Sequence, residues 1–202
     1  KYRQYVQSDK ISWTVIASPS EAWAEKVFPN LPKEKQVEAL WDAIFKATRS
    51  DLENPVDAWT KHNDTLHEKV DYLNAKKYTK LHYTAPGTDL TIELPKGHLW
   101  CGAGSVNEKG EEFMANMPTE EVFTVPHKDG VNGYVSSTKP LSYGGNIIDN
   151  FKITFENGRI SNVEAEQGEE VLKNLVATDE GSHRLGEVAL VPHDSPISNS
   201  GL

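Results

Sequence analysis

Two glutamate segments carry the most chemical information in this chain. Glu187 heads the run Val188-Ala189-Leu190-Val191, which reads as a strand buried on both faces. An ionised carboxylate taken into such a place is costly unless it is paired or bound to a metal. The plainer reading sets Glu187 at the solvent end of the strand or pairs it with Arg184, and the local sequence favours that reading. Glu120 and Glu121 precede Val122-Phe123-Thr124. A strand period of two sends their side chains to opposite faces, so only one of them can enter a given pocket. Two solvated charges at a strand entry is the plainer alternative.

The remaining reactive residue types are less telling. His62 and His67 lie five apart on an expected helix, about 500° around its axis, and make poor joint ligands. His183 and His193 flank the Glu187 strand and read as exposed loop residues. Cys101, in Trp100-Cys101-Gly102-Ala103-Gly104-Ser105, has no base beside it and reads as a small buried residue, not a nucleophile. Gly102-x-Gly104 lacks the third glycine and the strand-to-helix setting of a dinucleotide fingerprint.

The elements that must position these residues fall into two unlike stretches. Residues 11–17 read as a strand. Ser18-Pro19-Ser20-Glu21 then supplies a helix start, with Ser18 as cap and Glu21 three residues on. Val37, Leu40, Trp41, Ile44 and Phe45 form one apolar helical stripe. Asn54 caps a long helix with Val56, Trp59, Leu66, Val70 and Leu73 on one face. From about residue 79, short β-rich runs alternate with turns at 80–83, 89–94, 98–105, 122–125 and 131–136. Asn157-Gly158 between two β-rich runs is a strong hairpin signal. A helix is expected at 168–177 with Val171, Leu172, Leu175 and Val176 inward. The expected class is α+β. Residues 1–78 form the C-terminal part of an α/β domain with long helices, and 79–202 a mostly antiparallel, β-rich catalytic domain with a few helices.

Composition narrows the function classes. The chain has 202 residues, 21 Lys+Arg against 30 Asp+Glu, a net charge of −9 and one cysteine. One cysteine excludes an internal disulfide framework and fits a reducing, cytoplasmic setting. The acidic balance argues against nucleic-acid binding and suits a carboxylate-built cation site. No apolar run approaches the roughly 20 residues of a membrane span. The opening Lys1-Tyr2-Arg3 lacks both an initiator Met and a leader pattern, and Leu202 closes the chain just after a Pro-containing stretch. A fragment of a longer chain is expected.

The two glutamate segments also carry a family resemblance. Asn116-Met117-Pro118-Thr119-Glu120-Glu121-Val122-Phe123-Thr124 resembles one signature of the aminopeptidase T / aminopeptidase S / PepS family of bacterial metallo-aminopeptidases. Arg184-Leu185-Gly186-Glu187-Val188-Ala189-Leu190-Val191, followed by Ser195-Pro196-Ile197-Ser198, resembles the next. Ala17-Ser18-Pro19-Ser20-Glu21-Ala22-Trp23-Ala24 and Leu99-Trp100-Cys101-Gly102-Ala103-Gly104-Ser105 are similar to the family as well, its PepS branch above all.

The resemblance implies a broad-specificity exopeptidase that removes N-terminal residues from peptides through water activated by two divalent metals. It implies Glu121 and Glu187 as metal ligands, and Glu120 is a candidate proton shuttle in the catalysis. Zn, Co, Mn and Mg all suit such donors. The resemblance further implies a homodimer, and a site completed by a Tyr, a His and a His-x-Asp that lie downstream of Ser195-Pro196-Ile197-Ser198, past Leu202. The fragment alone is therefore expected to be inactive. The rival readings are a non-catalytic dimerisation or substrate-gating module with structural glutamates, and an unrelated acidic binding protein.

Overall fold

The computed structural model describes residues 2–200, so Lys1 and Leu202, named above as the ends, lie outside the described residues. In chain order the elements are α1 (Tyr2–Gln7), β1 (Val15–Ile16), α2 (Glu21–Val27), α3 (Lys33–Ala47), α4 (Pro55–Lys76), β2 (Lys80–Ala85) and β3 (Thr88–Glu93). The short strands β4 (Cys101–Gly102), β5 (Ser105–Val106), β6 (Glu112–Phe113), β7 (Asn116–Met117) and β8 (Val122–Thr124) follow. After them come β9 (Val131–Ser136), β10 (Leu141–Tyr143), β11 (Asn146–Glu156), β12 (Arg159–Gln167), α5 (Glu169–Val176), a 3-10 turn (Gly181–His183) and β13 (Val188–Leu190). The mixture of helices and mostly antiparallel strands is the expected α+β class. The chain divides into two compact units, one of Lys1–Tyr72, Cys101–Val122 and Ala189–Leu202, the other of Leu73–Trp100 and Phe123–Val188.

The first unit is built on helices. α2 starts two residues later than expected, because Ser20, not Ser18, is the cap: its hydroxyl accepts from the Trp23 N–H at 3.3 Å. Buried Gln36 at the start of α3 donates to the carbonyls of Phe28 and Leu31, closing the turn between α2 and α3. The stripe of α3 is only partly used. Leu40 is fully buried, while Trp41 and Phe45 stack on each other at 5.2 Å and remain partly exposed. Asn54 caps α4 as expected, accepting from the Asp57 N–H at 3.2 Å. The strand expected over 11–17 shrinks to Val15–Ile16, which pairs in parallel with the two-residue β7. A partner that short gives the ladder nothing to extend along.

The second unit is an antiparallel sheet. β2, β3, β9 and β11 pair in sequence, with β10 and β12 also on β11. The β11–β12 hairpin turns at Asn157 and Gly158, both with positive φ, as the dipeptide foretold. A Cβ on Gly158 would lie 1.8 Å from the Lys128 carbonyl oxygen, so the position requires glycine for space as well as for φ. α5 covers the sheet with Leu172 and Val176, which form a core cluster with Ile148 and Val163. Val171 and Leu175 pack at its edge, so all four expected inward residues of this helix face the sheet. Among the described residues, no helix is long and apolar enough to cross a membrane.

Candidate functional site

The Glu120–Glu121 segment sits just ahead of β8 and is fixed by two helices of its own unit. Glu120 is 5% exposed. Both its carboxylate oxygens accept from Arg49, at 2.5 Å from Nη1 and 3.0 Å from Nη2. This is the two-pronged guanidinium–carboxylate geometry, the strongest side-chain pairing available to a glutamate. It also supplies the opposite charge that a buried carboxylate requires. His62 of α4 reaches the same segment. Its Nε2 lies 2.7 Å from the Thr119 carbonyl oxygen and 3.5 Å from Glu120 Oε1. A carbonyl can only accept, so Nε2 carries the hydrogen.

Trp59, three residues before His62 on α4, completes the cluster. Its ring lies edge-on to His62 with centroids 5.5 Å apart, and the Arg49 guanidinium carbon sits 5.6 Å from its centroid. Its indole N–H donates to the Thr48 carbonyl at 2.6 Å, tying α4 to the end of α3. That end is a closed turn. Ser50 N–H donates to the Phe45 carbonyl and Arg49 N–H to the Lys46 carbonyl, the paired bonds of a Schellman cap. Arg49 takes the left-handed position of the cap, with φ 57°, where glycine is the usual residue.

Glu121 follows Glu120 directly and is partly buried. Its carbonyl oxygen would be 2.7 Å from a Cβ on Gly102, so Gly102 admits the close approach of this segment. Gly104, two residues on, donates its N–H to the Asn63 side chain at 2.7 Å. In the Gly102-x-Gly104 pattern, Gly102 thus makes room for the glutamate segment, and Gly104 packs against Asn63 of α4.

Glu187 immediately precedes β13 and is exposed in this chain. The strand is not buried on both faces as its composition suggests. Val188 is buried, but Val191 is half-exposed. The expected alternative partner is engaged elsewhere: Arg184 donates to Asp129 at 2.9 Å and to the Lys128 carbonyl at 2.7 Å. Cys101 is exposed rather than buried, a correction that follows from its place on a two-residue strand. His193 is exposed, as the sequence suggests, whereas His183 lies in the 3-10 turn and is partly buried, because the turn folds its ring inward.

The donor chemistry of the two glutamates suits a hard divalent cation, because carboxylate oxygens are the ligands such ions take. Among the described residues, no group of three or more His, Cys, Asp and Glu gathers where an ion could be held.

Sequence reasoning missed Arg49, Trp59 and His62 as neighbours of the glutamates. The sequence places Trp59 on the apolar face of a helix and offers His62 only as a poor joint ligand with His67. An arginine where a helix cap calls for glycine is a faint signal for Arg49, but nothing local points to a partner 71 residues away.

The likeness to known proteins covers the chain from end to end. Residues 1–202 match the Peptidase M29 family, thermophilic metalloproteases, and the chain belongs to that family. It is 67% identical over 201 residues to "Aminopeptidase AmpS" of Bacillus subtilis (strain 168), covering 100% of this chain and 49% of that protein. It is 54% identical over 197 residues to "Aminopeptidase PepS" of Streptococcus thermophilus, covering 97% of this chain and 48% of that one. The solved structure titled "Wild-type AmpT from Thermus thermophilus" superposes with a TM-score of 0.91 at 46% identity, over 98% of this chain and 49% of that chain. The family resemblance read from the glutamate segments is borne out. The chain spans about half the length of the curated relatives it matches.

Proposed function

We propose that this chain supplies part of the catalytic centre of a metal-dependent aminopeptidase acting on peptide N-termini, with Glu121 and Glu187 as two of its metal ligands. The observation that carries this reading is the match of the whole chain to a metalloprotease family whose similar members are named aminopeptidases. The two glutamates stand at corresponding places, each one residue before a short strand, and offer hard oxygen donors. Divalent cations held there by Glu121 and Glu187 would supply a Lewis acid for the peptide carbonyl and a water of lowered pKa.

The chain spans about half the length of the relatives it matches, and we take the remaining ligands to come from the rest of a longer protein. We take the ions to be two, drawn from Zn, Co, Mn and Mg, and the full-length protein to be a cytoplasmic homodimer. Glu120 was the expected proton shuttle. Its carboxylate is occupied at both oxygens by Arg49, which favours a supporting part over proton transfer.

The test is metal content and peptide hydrolysis of the full-length protein with Glu121→Gln and Glu187→Gln. Each variant should lose both metal and rate. Normal metal content and full rate in both would leave the glutamates structural and favour a non-catalytic module instead.

A further inference from the structure

Arg49 holds a backbone position that glycine fills with less strain, so what distinguishes it there is its side chain. That side chain grips Glu120 at both oxygens, while His62 holds the carbonyl of Thr119. The residue before Glu121 is thus anchored through its side chain, and the peptide before that through its carbonyl. The carbonyl of Glu121 itself lies against Gly102, where any side chain would collide with it. Glu120 and Glu121 share a peptide unit, so fixing the Glu120 side chain, the Thr119 carbonyl and the Glu121 carbonyl together restricts the backbone from which the Glu121 carboxylate projects.

We infer that Arg49, acting through Glu120, is a positioning residue for the Glu121 carboxylate. The inference rests on the reading of Glu121 as a metal ligand. Partners that orient ligands in this way govern affinity for the ion without touching it.

The test is calorimetric titration of zinc and of cobalt ions into the full-length apoprotein, with the cobalt absorption spectrum and thermal melting followed in parallel. Arg49→Gly and Glu120→Gln should each weaken ion binding by about 10- to 100-fold and alter the cobalt spectrum. Arg49→Lys keeps the charge but lacks the two-pronged geometry, and it should be weakened as well. Each single variant leaves one partner of a buried pair alone and risks misfolding. The double variant Arg49→Gly/Glu120→Gln removes that conflict, so its melting should recover towards wild type while its ion affinity does not. Wild-type affinity in the folded double variant would overturn the positioning role. If Glu121→Gln also binds ions as wild type does, the ligand reading fails and takes the inference with it. If Glu121→Gln loses the ion while the double variant keeps it, only the positioning role fails.

Discussion

The guanidinium of Arg49 donates to both carboxylate oxygens of Glu120, at 2.5 and 3.0 Å, across 71 residues of sequence. Arg49 is 16% exposed and Glu120 5%. Such a pair is worth little against a well-packed apolar substitute, yet breaking it by removing one partner is costly, because the survivor is a buried charge. Arg49→Ala should therefore cost about 3 kcal/mol in urea unfolding. Arg49→Gly loses the same charge but relieves the left-handed backbone, so it should be milder by about 1 kcal/mol. Equal losses for alanine and glycine would show that the cap conformation carries no strain.

Glycine at the tip of the β11–β12 hairpin is required twice over, by a φ of 79° and by the Lys128 carbonyl oxygen 1.8 Å from where a Cβ would stand. Gly158→Ala should destabilise the chain by more than the roughly 1 kcal/mol that a positive φ alone costs. A melting temperature within error of wild type would show that the loop at Lys128 gives way freely.

Leu172 is the buried centre of the contact between α5 and the sheet. Leu172→Ala removes methyl groups from a cluster with Ile148, Val163 and Val176, and the cavity adds to the lost transfer energy. The expected cost is about 3 kcal/mol, read from denaturant unfolding. A loss below about 1 kcal/mol would mean that the helix edge collapses to fill the space.

Acidification should weaken the segment around the 3-10 turn. The Arg159 guanidinium, donating to Glu180 at 2.6 Å, holds the Glu180 carboxyl below its ordinary range. The backbone N–H of Ser182 and then its hydroxyl do the same for Asp179. A depressed carboxyl stabilises the fold above its unfolded pKa, near 4 for these groups, and loses that contribution as pH falls through its folded value. Glu180→Gln should therefore melt below wild type at neutral pH, and the gap should close below about pH 4. A gap independent of pH would assign the loss to packing.

Residues 1–202 alone should gain no thermal stability from added zinc or cobalt ions. Specific binding to the folded state would raise the melting temperature, and the described residues bring no three ligands together. A rise of several degrees at micromolar ion would show that this chain closes a site by itself.

What could be read from the sequence follows a physical line. Asn54 as a cap, the hairpin at Asn157-Gly158 and the inner face of α5 were all legible, because each depends on neighbours within a turn or two. The family was legible for the related reason that its glutamate segments are contiguous. Misreadings arose where burial was inferred from local composition. Cys101 sits beside apolar residues in sequence and is exposed in this chain, and the strand after Glu187 is only partly buried, while Glu187 itself is exposed as the plainer reading held. Strand 11–17 had the right residue types but a partner only two residues long.

By itself, then, the sequence determined the Asn157-Gly158 turn, the Asn54 cap, the inner face of α5 and the family of this protein, and it singled out Glu120, Glu121 and Glu187. Only the tertiary structure decided that Glu120 belongs to Arg49, that His62 holds the peptide beside it, and that Gly102 makes room for that segment. Backbone propensity acts over a few residues. A buried charge finds its partner only when helices distant in sequence pack against it, so no local pattern records the pairing.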